Sequence, residues 1–244
     1  MNVLFSVLPI RGKHFTWCPN ERIIVARNCY RCQGQFYAFA LVLAVAVAAL
    51  EFFGSRETGS QSLWSDAWHV ASDALGYLIG MVYALLALYR VWKSQDLTRL
   101  REWCEIAIGI LLVVVAVRIF GESGYRLWFG LLPDIRQDEL LLGIAVLGLA
   151  ANLFLLVLFW AFGIHHDHGG AMGHHHQHGS GADKILQGNF WHTVSDTVSS
   201  LLVIVNAVIF SLTTNPAWGY LDLSVSLAIA LVLFSQGVSI LSRE

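Results

Sequence analysis

Six apolar runs, each long enough to cross a bilayer as a helix, follow one another along this chain. A spanning helix needs about 20 residues, and polar segments such as GSRETGSQ, KSQDLTRLRE, GESGYR and TTNPAWG separate the runs. The runs lie near 35–53, 61–90, 103–120, 138–164, 183–212 and 219–241. Lipid offers no hydrogen bonds to an open backbone, and no alternating strand pattern is visible. The sequence therefore predicts an all-α integral membrane protein with six transmembrane helices.

The composition agrees with this class. Hydrophobic residues make up 56% of the 244 residues, and charged residues only 13%. Soluble domains usually carry about a quarter charged residues, so membrane lipid is the predicted surrounding of the chain. The net charge of −2 gives no reason to expect a nucleic acid partner.

The lysines and arginines are distributed unevenly between the two sides of the predicted bundle. If the N-terminus is cytoplasmic, 11 of the 15 lie on the cytoplasmic side, and the four others are Arg56, Arg118, Arg126 and Arg136. The positive-inside rule then predicts that both termini are cytoplasmic. The expected location is the inner (plasma) membrane of the cell, or an organelle membrane in a eukaryote.

A short motif occurs twice, as WHVASD at 68–73 and as WHTVSD at 191–196. Residues i and i+4 lie on the same face of a helix. His69 with Asp73, and His192 with Asp196, therefore form two pairs of potential metal ligands. One helix cannot surround an ion alone, so a tetrahedral site needs both pairs.

The two pairs should lie at matching depth. The second helix is predicted to run inward and the fifth outward, which puts both pairs roughly 12–20 Å from the start of their helix. In a hydrocarbon core about 30 Å thick this is near the middle. A single intramembrane histidine is often only a hydrogen-bond partner, but ionisable groups at this depth are usually functional. The repeated motif predicts one four-ligand metal site.

The charges of such a site favour an exchange of metal for protons. Two carboxylates and two neutral imidazoles balance a divalent ion, and the same set without the ion is doubly negative. Ligands must be deprotonated to bind, so an arriving ion expels protons. Zn2+ is the predicted substrate, with Cd2+, Co2+ and Ni2+ as alternatives, because Mg2+ and Ca2+ prefer more oxygen ligands. Protons are the predicted counter-ion.

The tract HHDHGGAMGHHHQHGSGADK separates the fourth and fifth runs. Expression tags have a similar composition, but they stand at termini, whereas this tract is internal and interrupted. Such tracts bind metal loosely and without a single geometry. We predict a cytoplasmic loop, 165–182, that collects ions through His165, His166, His168, His174, His175, His176 and His178.

Residues 1–34 form a predicted cytoplasmic tail ahead of the six-helix domain of 35–241. The tail contains a possible four-ligand zinc set: His14, Cys18, Cys29 and Cys32. The spacing matches no familiar zinc knuckle, and free thiols in a reducing cytosol are the alternative interpretation.

Two kinds of polar residue within the runs have smaller expected roles. Asp66, one turn before His69, either supports the metal site or is a carboxylate at a helix start. Asn152 and Asn206 are expected to form hydrogen bonds between helices.

Three charged residues lie near predicted ends of the helices. Arg118 and Asp222 both lie near outer ends, where they can form an ion pair. Glu51 is expected to be solvated near an interface.

These features resemble the cation diffusion facilitator family of zinc transporters. The resemblance covers six helices, the segment EFFGSRETGSQSLWSDAWHVASDAL, the histidine-rich insert, NFWHTVSD in the fifth helix and GYLDLSVSL at the start of the sixth. It implies a homodimeric exporter that exchanges Zn2+ for H+ and a transport site formed by His69, Asp73, His192 and Asp196. A histidine in the first ligand position resembles the zinc-preferring members.

The sequence departs from that family at its end. Members usually continue into a cytoplasmic α/β domain, whereas this chain ends at Glu244. We therefore expect no C-terminal cytoplasmic domain, and the dimerisation and metal regulation that it provides are not carried over.

Two other functional classes stay open beside a non-enzymatic transporter. A membrane metal hydrolase would need an open coordination position for water. A metal-binding sensor subunit would hold the ion without moving it across the membrane.

Overall fold

The chain is an all-helical bundle in a computed structural model that describes residues 30–89, 94–135, 138–161, 181–213 and 215–242. Within these ranges there is no strand. All six long helices have the length and apolar composition needed to cross a membrane, which confirms the predicted fold class. The helices are α1 (Tyr30–Thr58), α2 (Gln61–Leu88), α3 (Ser94–Trp128), α4 (Asp138–Ala161), α5 (Gly181–Leu212) and α6 (Gly219–Leu241), with a 3-10 turn, Pro216–Trp218, before α6.

The first helix is longer than predicted at both ends. It begins at Tyr30, inside the predicted tail, and continues past residue 53 to Thr58. The hydroxyls of Ser55 and Thr58 donate hydrogen bonds to backbone carbonyls one turn earlier, at 2.9 and 2.7 Å. These local bonds satisfy the two hydroxyls within the helix. The helix ends where Gly59 adopts a φ of +72°, a conformation that glycine allows at low cost.

Helices α3 and α5 also exceed their predicted bounds. The predicted separator GESGYR is part of α3, which runs from Ser94 to Trp128. Glu122 and Arg126 form an ion pair there at 3.2 Å across one helical turn. Such pairs stabilise a helix, which helps this polar segment to remain helical. Helix α5 begins at Gly181, so the last two residues of the predicted loop 165–182 are helical. The length of the apolar run alone therefore underestimates the length of each of these helices.

Helix α2 lies at the centre of the bundle and packs against α1, α3, α5 and α6. The most extensive pairings are α1 with α2, α3 with α6 and α4 with α5. Helices α3 and α6 approach closely at two glycines. A Cβ added to Gly237 would lie 2.9 Å from the carbonyl oxygen of Gly109. Small residues at such a crossing allow close contact between helices in lipid.

Two apolar clusters flank a polar centre. One joins α1, α2 and α4 through residues such as Phe36, Ala44, Val70, Leu155 and Phe159. The other joins the five helices α2, α3, α4, α5 and α6 through residues such as Leu63, Leu112, Ile144, Val203 and Ile229. Between them α2 buries a polar stripe at spacings of three and four residues, namely Ser62, Asp66, His69 and Asp73.

Candidate metal centre

Three of the four predicted ligands meet in the middle of the bundle. His69 and Asp73 extend from one face of α2, and Asp196 extends from α5. One potential ligand atom from each residue lies within 4.8 Å of the other two. His69 Nε2 and Asp196 Oδ1 are 2.9 Å apart. None of the three residues is more than 5% exposed.

Side-chain contacts between α2 and α5 fix the register of the two helices. As residue numbers rise along α2, the numbers of their partners on α5 broadly fall, so the helices are antiparallel. This arrangement brings the two copies of the motif to the same level of the bundle. The contacting pairs are Ser62 with Asn206, Asp66 with Ser200, and His69 with Asp196.

The fourth predicted ligand, His192, belongs to α5 one turn before Asp196, but its side chain is outside the described residues. The same holds for the side chain of Cys32. The remaining residues of the two other predicted metal sets also lie outside the described ranges: His14, Cys18, Cys29, His165, His166, His168, His174, His175, His176 and His178. Metal binding by these residues stays a prediction.

A hydrogen-bonded chain connects Asp66, one turn before His69, to α4. The hydroxyl of Ser200 donates to Asp66 Oδ2 at 3.3 Å, and Asn152 Nδ2 donates to the Ser200 oxygen at 3.1 Å. Asn152 is therefore an interhelical hydrogen-bonding residue, as predicted. Asp66, in the second turn of α2, is only 2% exposed.

A small cavity adjoins the centre. Its polar lining comes from Asp73, Asp196 and Asn152, and its apolar lining includes Val47 of α1. Tyr77 also lines it. The cavity gives the two carboxylates room to accept an ion between α1, α2, α4 and α5.

Glu51 is buried, contrary to the expectation from the sequence. It is 1% exposed, so the prediction of a solvated side chain is wrong. The reason is that α1 continues for about two more turns beyond it. The feature of the sequence that indicates burial is the position of this ionisable residue inside an apolar run.

A second polar cluster surrounds Asp222 of α6 at the start of α2. Its carboxylate accepts the backbone N–H of Gln61 at 2.6 Å and the hydroxyls of Ser60 and Ser62 at 2.8 and 2.6 Å. Asn206 Nδ2 donates to the same carboxylate at 2.7 Å, which confirms the interhelical role predicted for Asn206. One side chain of α6 thus accepts a hydrogen bond from a backbone N–H group at the N-terminus of α2, where such groups have no partner within the helix.

The predicted ion pair between Arg118 and Asp222 does not form. Asp222 is occupied by the donors at the start of α2. The guanidinium of Arg118 lies instead 4.6 Å from the centre of the Trp68 ring, a cation–π arrangement.

Similarity to known proteins agrees with this architecture. Residues 37–243 match the cation efflux transmembrane domain family. A protein of Dictyostelium discoideum named as a probable zinc transporter is 31% identical over 72% of this chain and 26% of its own length. A Saccharomyces cerevisiae protein, also named as a probable zinc transporter, is 28% identical over 80% of this chain and 25% of its own length.

A bacterial relative is more distant but nearer in size. The cadmium, cobalt and zinc/H(+)-K(+) antiporter of Bacillus velezensis is 21% identical over 81% of this chain and 57% of its own length. By contrast, the chain spans only about a quarter of the length of the two eukaryotic relatives. Because the family match extends over nearly all of the six-helix region, the chain belongs to the cation efflux transmembrane domain family.

Proposed function

We propose that this protein exports divalent metal cations across a membrane, with Zn2+ as the preferred substrate and protons as the counter-ion. The observation that carries the proposal is the convergence of His69, Asp73 and Asp196 from two antiparallel helices in a buried centre. His192, on the α5 turn before Asp196, is the proposed fourth ligand. The family match and the zinc transporters among the relatives support the same function.

The donor set suits zinc. Two imidazole nitrogens and two carboxylate oxygens form a four-coordinate set, and zinc binds such atoms at about 2.0–2.2 Å. Two ligands of one zinc ion are therefore at most about 4.4 Å apart. The present separations, within 4.8 Å, require only small side-chain shifts. Cd2+, Co2+ and Ni2+ are further substrates of this proposal, and the name of the Bacillus relative includes cadmium and cobalt.

Metal and proton compete for the same atoms. His69 Nε2 and Asp196 Oδ1 lie 2.9 Å apart, and a proton bound to either group occupies a position that the metal needs. Zinc must bind the lone pair of the imidazole nitrogen, so the proton has to leave first. A proton that returns from the other side of the membrane restores the pair and displaces the metal. Repetition of these two states with alternating access couples zinc export to proton uptake.

The direction of transport rests on the charge distribution. We infer that both termini and the loop 165–182 are cytoplasmic, because most lysines and arginines fall on that side. The loop histidines then collect the ion inside, and the transporter releases it outside. A homodimer in the plasma membrane, or in an organelle membrane of a eukaryote, is the proposed assembly.

Reconstitution into proteoliposomes tests the function. With a zinc-sensitive dye on one side, an imposed pH gradient should drive zinc flux through the wild-type protein, and Mg2+ should not be carried. Zinc binding without any flux would identify a metal sensor instead. Zinc-dependent hydrolysis of a membrane substrate without flux would identify the hydrolase. Transport of Mg2+ at the rate of Zn2+ would contradict the ligand assignment.

A further inference from the structure

We propose that Glu51 and Asp66 form a second cation site, through which the divalent ion passes between the His69 centre and the end of the bundle at which α2 begins. The proposal rests on the proposed function, because the ion held there is the transported one. It assigns a role to two buried carboxylates that the four-ligand centre does not use.

The Glu51 carboxylate lies against α4. A Cβ added to Gly148 would stand 2.7 Å from Glu51 Oε1, so the absence of a side chain at Gly148 makes room for the carboxylate. Within the described part of the chain, neither carboxylate oxygen of Glu51 has a hydrogen-bond partner. Burial of an ionised carboxylate without a partner is costly. A bound cation removes that cost.

Asp66 offers a further open oxygen. Its Oδ2 accepts the Ser200 hydroxyl, while its Oδ1 has no hydrogen-bond partner in the described ranges. Among the described residues, neither Asp66 nor Glu51 forms an ion pair with a lysine or arginine. The two side chains together present three unpartnered carboxylate oxygens.

The two residues occupy the same level of the bundle. Phe52, next to Glu51, packs edge-on against Trp64 and Trp68 of α2, with ring centres 5.1 and 5.3 Å apart. These tryptophans lie on either side of Asp66 in the sequence. Contacts between α1 and α2 therefore place Glu51 and Asp66 at about the same level of the bundle.

This level adjoins the metal centre. Asp66 is about 4.5 Å nearer the start of α2 than His69. Glu51 is one turn beyond Val47, which lines the cavity at Asp73 and Asp196. An ion that leaves the centre toward the start of α2 therefore meets Glu51 and Asp66 next. Fewer ligands and no imidazole make this site weaker than the centre, as conduction requires of a site that the ion must leave.

Equilibrium dialysis of the purified full-length protein against Zn2+ tests the proposal. The number of bound zinc ions is compared in wild type, Glu51→Gln and Asp66→Asn, with Glu57→Gln as the control because Glu57 is exposed on the same helix. Each of the first two variants should bind one zinc ion fewer than wild type at saturation and retain the tight binding. The control should match wild type. Binding by the histidine loop is common to all variants and cancels in the comparison.

Two further variants make the result decisive. Glu51→Asp keeps the carboxylate and should keep the wild-type zinc count, whereas loss of the ion in this variant too would indicate a packing defect and overturn the proposal. If Glu51→Gln does not fold, Asp66→Asn decides the matter. Asp196→Asn should lose the tight binding, and its failure to do so would overturn the proposed function separately. A full zinc count in Glu51→Gln, together with slower proton-driven flux, would assign Glu51 to proton transfer and overturn the cation site.

Discussion

His69 Nε2 of α2 and Asp196 Oδ1 of α5 lie 2.9 Å apart, so the two copies of the repeated motif are joined directly. Each atom is also one that would bind the metal. The contact links α2 to α5 at the centre of the bundle, and in the proposed mechanism metal and proton compete for these two atoms. The same contact therefore indicates both where the ion is proposed to bind and which atoms it shares with the proton.

Asp196→Ala should abolish zinc transport and leave the helical bundle intact. The substitution removes one ligand, while alanine is compatible with the α5 helix. Loss of a residue that merely supports a ligand costs about 10–100-fold in metal affinity, so loss of the ligand itself should lower flux by about 100-fold or more. Zinc uptake into proteoliposomes measures the effect, and Glu139→Gln, at an exposed position of α4, serves as the control. Wild-type flux in Asp196→Ala would falsify the assignment of the centre.

Zinc binding should release protons and weaken as the pH falls. The ligands bind zinc only when deprotonated, so a higher proton concentration favours the metal-free state. Histidine has a reference pKa of about 6.5, which sets the relevant range at about pH 5.5–7.5. Calorimetry in buffers of different ionisation enthalpy counts the released protons. No released protons and a constant zinc affinity over this range would contradict proton exchange, even if the ligands were correct.

Deletion of residues 165–178 should lower the apparent zinc affinity or the rate of transport without abolishing it. The seven histidines of this segment are proposed to raise the local ion concentration, whereas all four proposed ligands of the buried centre come from α2 and α5. Flux measured over a range of zinc concentrations should approach the wild-type value at saturation. Complete loss of flux at saturating zinc would show that the loop is part of the transport pathway.

Asp222→Ala should lower the thermal stability of the protein. The change leaves the backbone N–H of Gln61 and the side chain of Asn206 without their shared acceptor. Each buried hydrogen bond to a charged group contributes about 1.5–3 kcal/mol, so the fall in stability should be large. Thermal unfolding in detergent measures it as a lower Tm. Ser224→Ala, at an exposed position one half-turn away on α6, should change the Tm little, and an equal loss there would refute the capping role of Asp222.

Gly237→Ala should weaken the packing of α3 against α6. The added Cβ would meet Val113 at 2.8 Å and the Gly109 carbonyl oxygen at 2.9 Å, so the helices must separate. Overpacking of this kind costs about 1–3 kcal/mol. The matched control is Gly121→Ala, where an added Cβ meets nothing within 4 Å. A lower Tm for the first variant and not for the second is the expected result, whereas equal Tm values would contradict the tight crossing.

Local features of the sequence were sufficient for the fold class and for the expectation that His69, Asp73 and Asp196 lie close together. The sixth run was predicted at 219–241, and α6 spans Gly219–Leu241. The pairing of His69 with Asp73 follows from the helical repeat alone. Their meeting with Asp196 was predicted from the repeat of the motif on a helix of opposite direction. Apolar length and side-chain spacing depend only on neighbours along the chain, so both can be read without knowledge of the bundle.

Only the tertiary structure decided the environment of the remaining polar residues. Glu51 is buried because α1 continues beyond its apolar run and α4 presents Gly148 at that level. Asp222 accepts hydrogen bonds from the start of α2, while Arg118 lies over Trp68. Such outcomes depend on which helices become neighbours and how each is rotated about its axis. That choice is made by packing over the whole bundle, because many weak contacts together determine it.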